Sequence, residues 1–195
     1  MREGADRERP RKASKFLLAA GRTGLAPPRG TAGHMGCLGV HFAITDEDAD
    51  RLLAADNDDA LMEIVEQIEE EWEITHETDK AWDAMHRALT NGTLVVDEPE
   101  PTLSKVFFGA RHLGENDDYF VVLATPAEVK EIADELEGVT EAWLRTQYFE
   151  LPFPEYDCEK SDEDWGYTWE NFRGLPEFYR RAAKEGLYVV FTVSQ

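Results

Sequence analysis

Apolar and polar residues alternate most regularly where the patterned part of the chain begins. Between residues 37 and 44 every second side chain, from Leu38 to Ile44, is strongly apolar, which predicts a strand with one apolar face. Other short β-rich runs are bounded by glycines, prolines and polar turns, and their spacing suits antiparallel pairing. The strands predicted in this way are 37–44, 93–96, 103–108, 119–123 and 187–193.

Apolar positions that recur every three or four residues predict the helices. Residues 58–73 carry an apolar face, and glutamates occupy much of the remaining surface. Thr125 can cap a helix that has Pro126 at its first position, and Thr45 with Asp48 fits a capping box. The predicted helices are 45–53, 58–73, 78–92, 125–138, 140–148 and 169–184, the last interrupted at 174–176.

The stretch 78–92 combines a helix start, an apolar stripe, a polar cluster and a helix stop. Thr78 or Asp79 is expected to cap its first turn. Asn91-Gly92 is expected to end it, because both residues tolerate left-handed backbone. The apolar stripe consists of Trp82, Met85 and Leu89. We expect the rest of the fold to be organised around this central helix.

The composition fits one globular domain. Of the 195 residues, 42% are apolar, which is enough to bury a core. With the predicted elements, the fold class is α+β: a single domain over residues 35–195, with a mostly antiparallel sheet covered by several helices. No apolar run approaches the roughly 20 residues that span a bilayer, so we expect no membrane partner. Cys37 and Cys158 are too few for a disulfide framework and lack zinc-site spacing, which favours the reducing cytoplasm.

The charge of the chain is unevenly placed. Residues 1–34 contain 8 Lys and Arg against 3 Asp and Glu, so the remainder contains 12 against 38 and carries a formal charge of −26. A body this acidic repels phosphate backbones, so we expect no nucleic-acid partner and favour a basic protein or cations. The alternative is that the acidic residues only maintain solubility or reflect a salty habitat.

Residues 1–34 mix arginine with glycine and proline and show no sustained periodicity, so we expect a disordered basic leader. Their apolar run at 16–20 is shorter than the roughly 7–15 residues of a signal-peptide core. The alternative is that Met35 is the true start and the leader is an over-called reading frame, because the folded pattern begins directly after it.

One candidate ligand site lies on the central helix. Asp79, Asp83 and His86 stand at i, i+4 and i+7, so their side chains are expected to converge along one edge. Beside Trp82 they could bind a metal or a cationic ligand. Alternatively, Asp79 caps the helix, Asp83 pairs with Arg87, and His86 hydrogen-bonds in or near the core. The set has no partner at a metal-ligand spacing, and no catalytic, cofactor or phosphate-loop motif occurs, so we predict no catalytic residue, metal or cofactor.

A second candidate site is the acidic and aromatic stretch 151–168, which we expect to be a loop. Aromatic rings supply buried area in an interface, and carboxylates steer the encounter with a basic partner. The alternative is a lid whose aromatic side chains cover the core. The candidate partner-binding residues are Glu155, Tyr156, Asp157, Asp162, Glu163, Asp164 and Trp165.

Several short motifs extend over essentially the whole of residues 35–195. They are Met35-Gly36, Asp79-Lys80-Ala81-Trp82 with His86 and Leu89-Thr90, Gly109, Thr125-Pro126-Ala127-Glu128-Val129, and Phe178-Tyr179 with Ala182 and Gly186. In this order they resemble the YfbM-like family of small bacterial proteins, domain of unknown function 1877. The resemblance implies a compact α+β fold and brings no established activity or catalytic residues. Some relatives are suspected of acting as immunity proteins against bacterial toxins.

Together these features predict a non-enzymatic cytoplasmic binding protein, in the form of an immunity-type inhibitor that occludes a basic toxin. The alternative is a small hydrolase or other ligand-processing enzyme that uses a cleft at the candidate ligand site. An inhibitor requires an exposed acidic and aromatic surface, whereas an enzyme requires a concave site with converging polar groups. The sequence leaves the oligomeric state open.

Overall fold

A computed structural model of the chain describes residues 38–94, 101–115 and 119–194. The predictions for the leader, for Cys37 and for residues 95–96 lie outside these ranges. The described residues form five strands: β1 (Gly39–Ile44), β2 (Thr75–Asp79), β3 (Arg111–Leu113), β4 (Tyr119–Ala124) and β5 (Tyr188–Ser194). They also form seven α-helices: α1 (Asp46–Leu53), α2 (Asp58–Glu71), α3 (Trp82–Leu89), α4 (Pro126–Leu136), α5 (Glu141–Glu150), α6 (Asp162–Phe172) and α7 (Leu175–Glu185).

The strands form one antiparallel sheet in the order β2-β1-β5-β4-β3, which confirms the predicted α+β fold class. β1 and β5 are neighbours, with His41 opposite Phe191, and β5 lies between β1 and β4. The strands predicted at 37–44, 119–123 and 187–193 correspond to β1, β4 and β5. The sheet therefore brings the first and last described strands together at its centre.

Helices cover both faces of this sheet. Phe42 and Ile44 of β1 pack against α1 and α2. Ala43 faces the larger core cluster, which includes buried residues of α3 to α7. Both faces of β1 are therefore buried, whereas the alternation predicted only one strongly apolar face. Among the described helices, none has the length and hydropathy needed to cross a membrane.

The predicted helix starts are confirmed where a threonine precedes the first turn. Thr125 and Glu128 form a reciprocal capping box at α4, with proline at the first helical position. The side chains of Thr45 and Thr140 accept hydrogen bonds from backbone amides at the starts of α1 and α5. These signals are strong because each cap satisfies an amide that the helix leaves unpaired.

The strand predicted at 103–108 is wrong. Thr102–Val106 form a 3-10 helix, and the strand that pairs with β4 is the three-residue β3. Leu103, Val106 and Phe107 are all buried, and a helical turn brings their spacing of three and four onto one side. The described half of the run 93–96 is not a strand either.

The central helix is shorter than predicted, because Thr78 and Asp79 belong to β2 and not to its cap. The Thr78 hydroxyl donates to the Gly39 carbonyl at 2.9 Å, which ties β2 to β1. Asp79 then turns the chain with a φ of +48° before α3 begins at Trp82. The predicted stop is confirmed, since Gly92 has a φ of +90° and its amide donates to the Arg87 carbonyl.

The loop predicted at 151–168 is wrong over its second half, which forms the start of α6. The Ser161 side chain accepts from the Asp164 amide, and three acidic residues occupy the first turn. Such a start is favourable because carboxylates interact well with the positive end of a helix. The predicted interruption near 174–176 is confirmed as the break between α6 and α7.

Candidate functional site

The two predicted sites lie beside one another, where α3, α6 and the end of β2 meet. We call this surface the acidic patch and define it as Asp79, Asp83, Asp157, Glu163, Asp164 and Tyr167. Burial raises the pKa of Asp83, and the charges of Asp157 and Asp164 add to this effect, whereas Arg87 opposes it. The fold thus joins carboxylates that are far apart in the sequence.

Asp164, within the acidic patch, accepts hydrogen bonds from two tyrosines. The hydroxyls of Tyr148 and Tyr156 both donate to its Oδ2, the second at 2.8 Å. Burial, followed by these hydrogen bonds to a carboxylate, raises the pKa of both phenols well above the ordinary value. Asp164 therefore remains an acceptor of two neutral phenols, and Tyr156 is oriented by it.

The predicted partner-binding residues divide into two groups. Trp165 is only 6% exposed and packs on Tyr148 with ring centroids 5.5 Å apart, so it belongs to the core. Tyr156 is half-buried, as is Asp164. The remaining four carboxylates are exposed at the surface: Glu155, Asp157, Asp162 and Glu163. Four of the five predicted carboxylates therefore lie at the surface, whereas Asp164 and the two aromatic residues are partly or fully buried.

Tyr167 supplies the exposed aromatic ring of the acidic patch. Its side chain is 39% exposed, and its hydroxyl accepts from the Lys80 amide at 3.2 Å. Burial, followed by a hydrogen bond to Asp79, raises its pKa to about 12. Tyr167 was not among the candidate residues, although it stands four positions after Glu163 and so shares its helix face.

Arg87 lies beneath the acidic patch and is 2% exposed. Its Nε donates to Asp83, and its Nη1 donates to the Pro154 carbonyl at 2.7 Å and the Gly92 carbonyl at 3.2 Å. The guanidinium also lies 5.9 Å from the centroid of the Tyr156 ring. Arg87 thus joins α3 to the segment before α6, and the pairing of Asp83 with Arg87 that was left open is confirmed.

His86 and Trp82 face the core. His86 is fully buried, and its Nε2 lies 3.1 Å from the Leu94 carbonyl oxygen, so Nε2 is the donor. Burial lowers the pKa of His86 to about 4, which keeps the ring neutral. Trp82 is 6% exposed and meets Phe108 edge-to-face at 5.4 Å.

The candidate ligand site is therefore not a cleft on one helix edge. Asp79 precedes α3, and His86 is buried on a side that faces Phe107 and Phe108. Within the described ranges, no group of three His, Cys, Asp or Glu side chains is placed to hold a metal ion. Asp79 and His86 thus do not converge with Asp83 on one helix edge, as the predicted ligand site required.

A second buried histidine, His41, was not predicted as notable. Its Nε2 lies 2.9 Å from the Val106 carbonyl oxygen, while its buried Nδ1 has no hydrogen-bond partner. Burial lowers its pKa to about 3. His41 is therefore a neutral core residue. In the sequence, the only signal for its burial is its position in a strand between Val40 and Phe42.

Cys158 is exposed at the margin of the acidic patch. Burial of its sulfur, with the nearby charges of Asp164 and Asp157, raises the pKa of its thiol, and Tyr156 opposes this. The thiolate is the reactive form of cysteine, so partial burial and the acidic neighbours together lower the thiolate fraction and the reactivity of Cys158.

We expect Asp157→Asn to increase the rate at which iodoacetamide alkylates Cys158 by about twofold to threefold at about pH 8, because one repelling charge is removed. The measurement is made by mass spectrometry on a chain that carries Cys37→Ser, so that Cys158 is the reporting thiol. Glu159→Gln is the matched control, since Glu159 is exposed but is not among the groups that shift this pKa. Equal rates in the two variants would contradict the assignment.

Comparison with known proteins identifies the family. The model of the domain of unknown function DUF1877 matches residues 35–192. A crystal structure of YfbM from Escherichia coli, a protein of unknown function, is similar to this fold with a TM-score of 0.61 and 22% sequence identity. The similarity covers 80% of this chain and 99% of that one. No curated protein matches the chain. The match to the family model covers most of the chain, and the chain therefore belongs to the DUF1877 family.

Proposed function

We propose that this protein is a non-enzymatic cytoplasmic binding protein that recognises a basic protein through the acidic patch. The form of this activity that we favour is immunity-type inhibition, in which the bound partner is a basic toxin whose working surface is covered. The mechanism is occlusion, so it needs no converging catalytic groups. The placement of carboxylates from both predicted sites around the exposed ring of Tyr167 is the observation that supports the proposal most.

The charge balance of the acidic patch favours a cationic partner. Arg87 already compensates Asp83 from below, which leaves Asp79, Asp157, Glu163 and Asp164 as the surplus of negative charge. Lys160 does not cancel this surplus through an ion pair, because its ammonium group donates to the carbonyls of Tyr148 and Leu151 at the end of α5. An incoming Lys or Arg side chain would therefore meet carboxylates without an equal number of competing cations.

The patch also contains the two components that interfaces combine. The exposed carboxylates increase the rate of encounter with a basic surface. Tyr167 adds an amphipathic ring, held by its hydrogen bonds with Asp79 and the Lys80 amide, on which an apolar or guanidinium group can pack. Because that ring is already positioned, little conformational entropy is lost when it is covered.

The experiment is a pull-down from native lysate with the full chain at about 50 mM and about 500 mM salt, followed by identification of the captured protein by mass spectrometry. We expect a basic protein at the lower salt concentration. The charge-reversal variant Asp157→Lys/Glu163→Lys is expected to lose it, because the surplus charge of the acidic patch is reduced.

The matched control is Glu63→Lys/Glu70→Lys, which makes the same change in net charge on exposed residues of α2, on the other face of the sheet. This control is expected to retain the captured protein. If both variants lose it equally, the interaction depends on total charge and the acidic patch is not the binding surface. Capture of no basic protein by the unchanged chain would contradict the proposed function as a whole.

A further inference from the structure

The sheet has an edge far from the acidic patch. β3 pairs with β4 through Arg111, His112 and Leu113, and no other described strand lies on its outer side. In an antiparallel strand, alternate residues direct their backbone N–H and C=O groups away from the neighbour. β3 therefore offers backbone donors and acceptors to an added strand. The acidic patch begins at β2, on the opposite edge, which lies about 19 Å away across four strand spacings.

A groove runs beside this edge, between β3 and the connection from α1 to α2. It measures about 460 Å³ and is open to solvent. Its apolar lining includes the buried Leu52 and Leu61, the half-buried Leu113 and Leu53, which is 37% exposed. We call it the β3 groove. Alternate side chains of an extended peptide on β3 would point to one side and reach this apolar floor.

The end of the β3 groove is held in place by Asp58. Its Oδ1 accepts the Glu115 amide at 3.0 Å, which holds the backbone at the end of β3. Gly114 has a φ of +78°, and a Cβ atom there would lie 2.7 Å from the Asp58 carboxylate. Only glycine fits this turn without displacing Asp58. The groove is thus built into the free protein, so an occupant does not have to order it.

The rim of the β3 groove selects the charge of its occupant. Asp56 and Glu115 are both exposed beside the apolar floor, and the lining also contains the half-buried Asp58 and the basic residue Arg111. A second copy of this chain is a poor occupant, because the chain carries a formal charge of −21 and two copies repel one another. A segment that carries lysine or arginine has the complementary charge.

We infer that the β3 groove binds an extended peptide segment of a basic protein, which adds to β3 as a sixth strand. Its backbone bonds to the outer edge of the three-residue β3, and the alternate apolar side chains of the paired segment enter the groove. Lys or Arg residues at its ends, beyond the paired segment, face Asp56 and Glu115. This inference does not depend on the acidic patch, since the two surfaces occupy opposite edges of the sheet.

The test uses a fluorescein-labelled heptapeptide of alternating lysine and valine, whose binding to the full chain is measured by fluorescence anisotropy at about 20 mM salt. We expect saturable binding, and no binding of the same peptide with glutamate in place of lysine. Asp56→Asn/Glu115→Gln is expected to weaken binding about tenfold, because both rim charges are lost. Asp157→Asn/Glu163→Gln, in the acidic patch, is expected to weaken binding far less than the rim variant, because only the β3 groove also offers a strand edge and an apolar floor to the peptide.

Strand addition is then separated from simple charge attraction by two further measurements. We expect hydrogen exchange of the amides at residues 111–113 to slow when the lysine peptide binds, and methylation of alternate backbone nitrogens of the peptide to abolish binding. Binding without protection of these amides would overturn the inference, as would no binding at all. Loss of affinity only in the acidic-patch variant would assign the peptide to that surface and would also overturn it. Dimerisation of the chain through β3, detected by sedimentation, would identify a second copy as the occupant and reject the basic peptide.

Discussion

Replacement of Arg87 by methionine is expected to lower the free energy of unfolding by about 3–5 kcal/mol. The loss is large because the substitution leaves the Asp83 carboxylate in a partly buried position without its cation. It also removes the donor to the Pro154 and Gly92 carbonyls. Urea denaturation, followed by tryptophan fluorescence, measures the change.

Arg145→Met is the matched control. Arg145 also pairs with an aspartate and lies over an aromatic ring, with its guanidinium 4.7 Å from the Phe149 centroid, but it is exposed. Its replacement should therefore cost less than about 1 kcal/mol. The double variant Asp83→Asn/Arg87→Met should recover part of the loss, because the unpaired carboxylate is gone. A loss in Arg87→Met no larger than in the control would show that Arg87 does not hold the segment before α6.

The second large effect is acid destabilisation from the buried histidines. Burial lowers the pKa of His41 to about 3 and that of His86 to about 4, from an ordinary value of 6.5. At a pH between the folded-state pKa values and 6.5, these histidines bind protons in the unfolded chain but not in the folded chain, so acid favours unfolding. The stability is fully present above about pH 6.5 and decreases as the pH falls toward the folded values. At about pH 4.5, the lowered pKa of His41 alone should reduce the free energy of unfolding by roughly 3 kcal/mol.

His41→Phe isolates this contribution. The rings of Phe107 and Phe191 surround the side chain, and the Val106 carbonyl still accepts from the Tyr179 hydroxyl at 3.2 Å after the imidazole is removed. The variant is therefore expected to change the unfolding free energy by no more than about 1–2 kcal/mol at about pH 7.5. Between pH 7.5 and pH 4.5, the free energy of unfolding of the variant should fall by roughly 3 kcal/mol less than that of the unchanged protein. The measurement is a series of urea transitions across this pH range.

His112→Gln serves as the control, because His112 is exposed on β3. It should retain the steep decline of the unchanged protein. If His41→Phe declines as steeply as the control, the acid sensitivity must come from groups other than His41.

The parts of the fold that could be predicted from the sequence are those with a local cause. Thr125 with Pro126 and Glu128 fixes a helix start within a few residues, and β1 follows from alternation alone. The 3-10 helix at Thr102–Val106 could not be distinguished from a strand, because a short apolar run suits either structure. β3 is too short for a period to be recognised.

The candidate site was predictable in its composition but not in its geometry. The acidic residues before and within α6 were recognised, yet nothing local placed Asp157 and Asp164 beside Asp83, since those contacts depend on how α3 and α6 pack. The sequence could not predict the orientation of Tyr156 and Trp165 either, because an aromatic residue near acidic residues is compatible with both a surface and a core position. Burial decided both cases, and burial is a property of the assembled fold.

The position of β5 between β1 and β4 has a consequence for the order of events during synthesis. Neither β1 nor β4 can complete its pairing until β5 has left the ribosome, and the register joins residues as distant as Gly39 and Val193. Helices such as α4, with its own capping box, can form earlier from local contacts. A nascent chain that ends before β5 therefore exposes two unpaired strand edges and the apolar faces on both sides of the missing centre. Chaperone binding is most needed during that interval, and it ends when the last strand inserts.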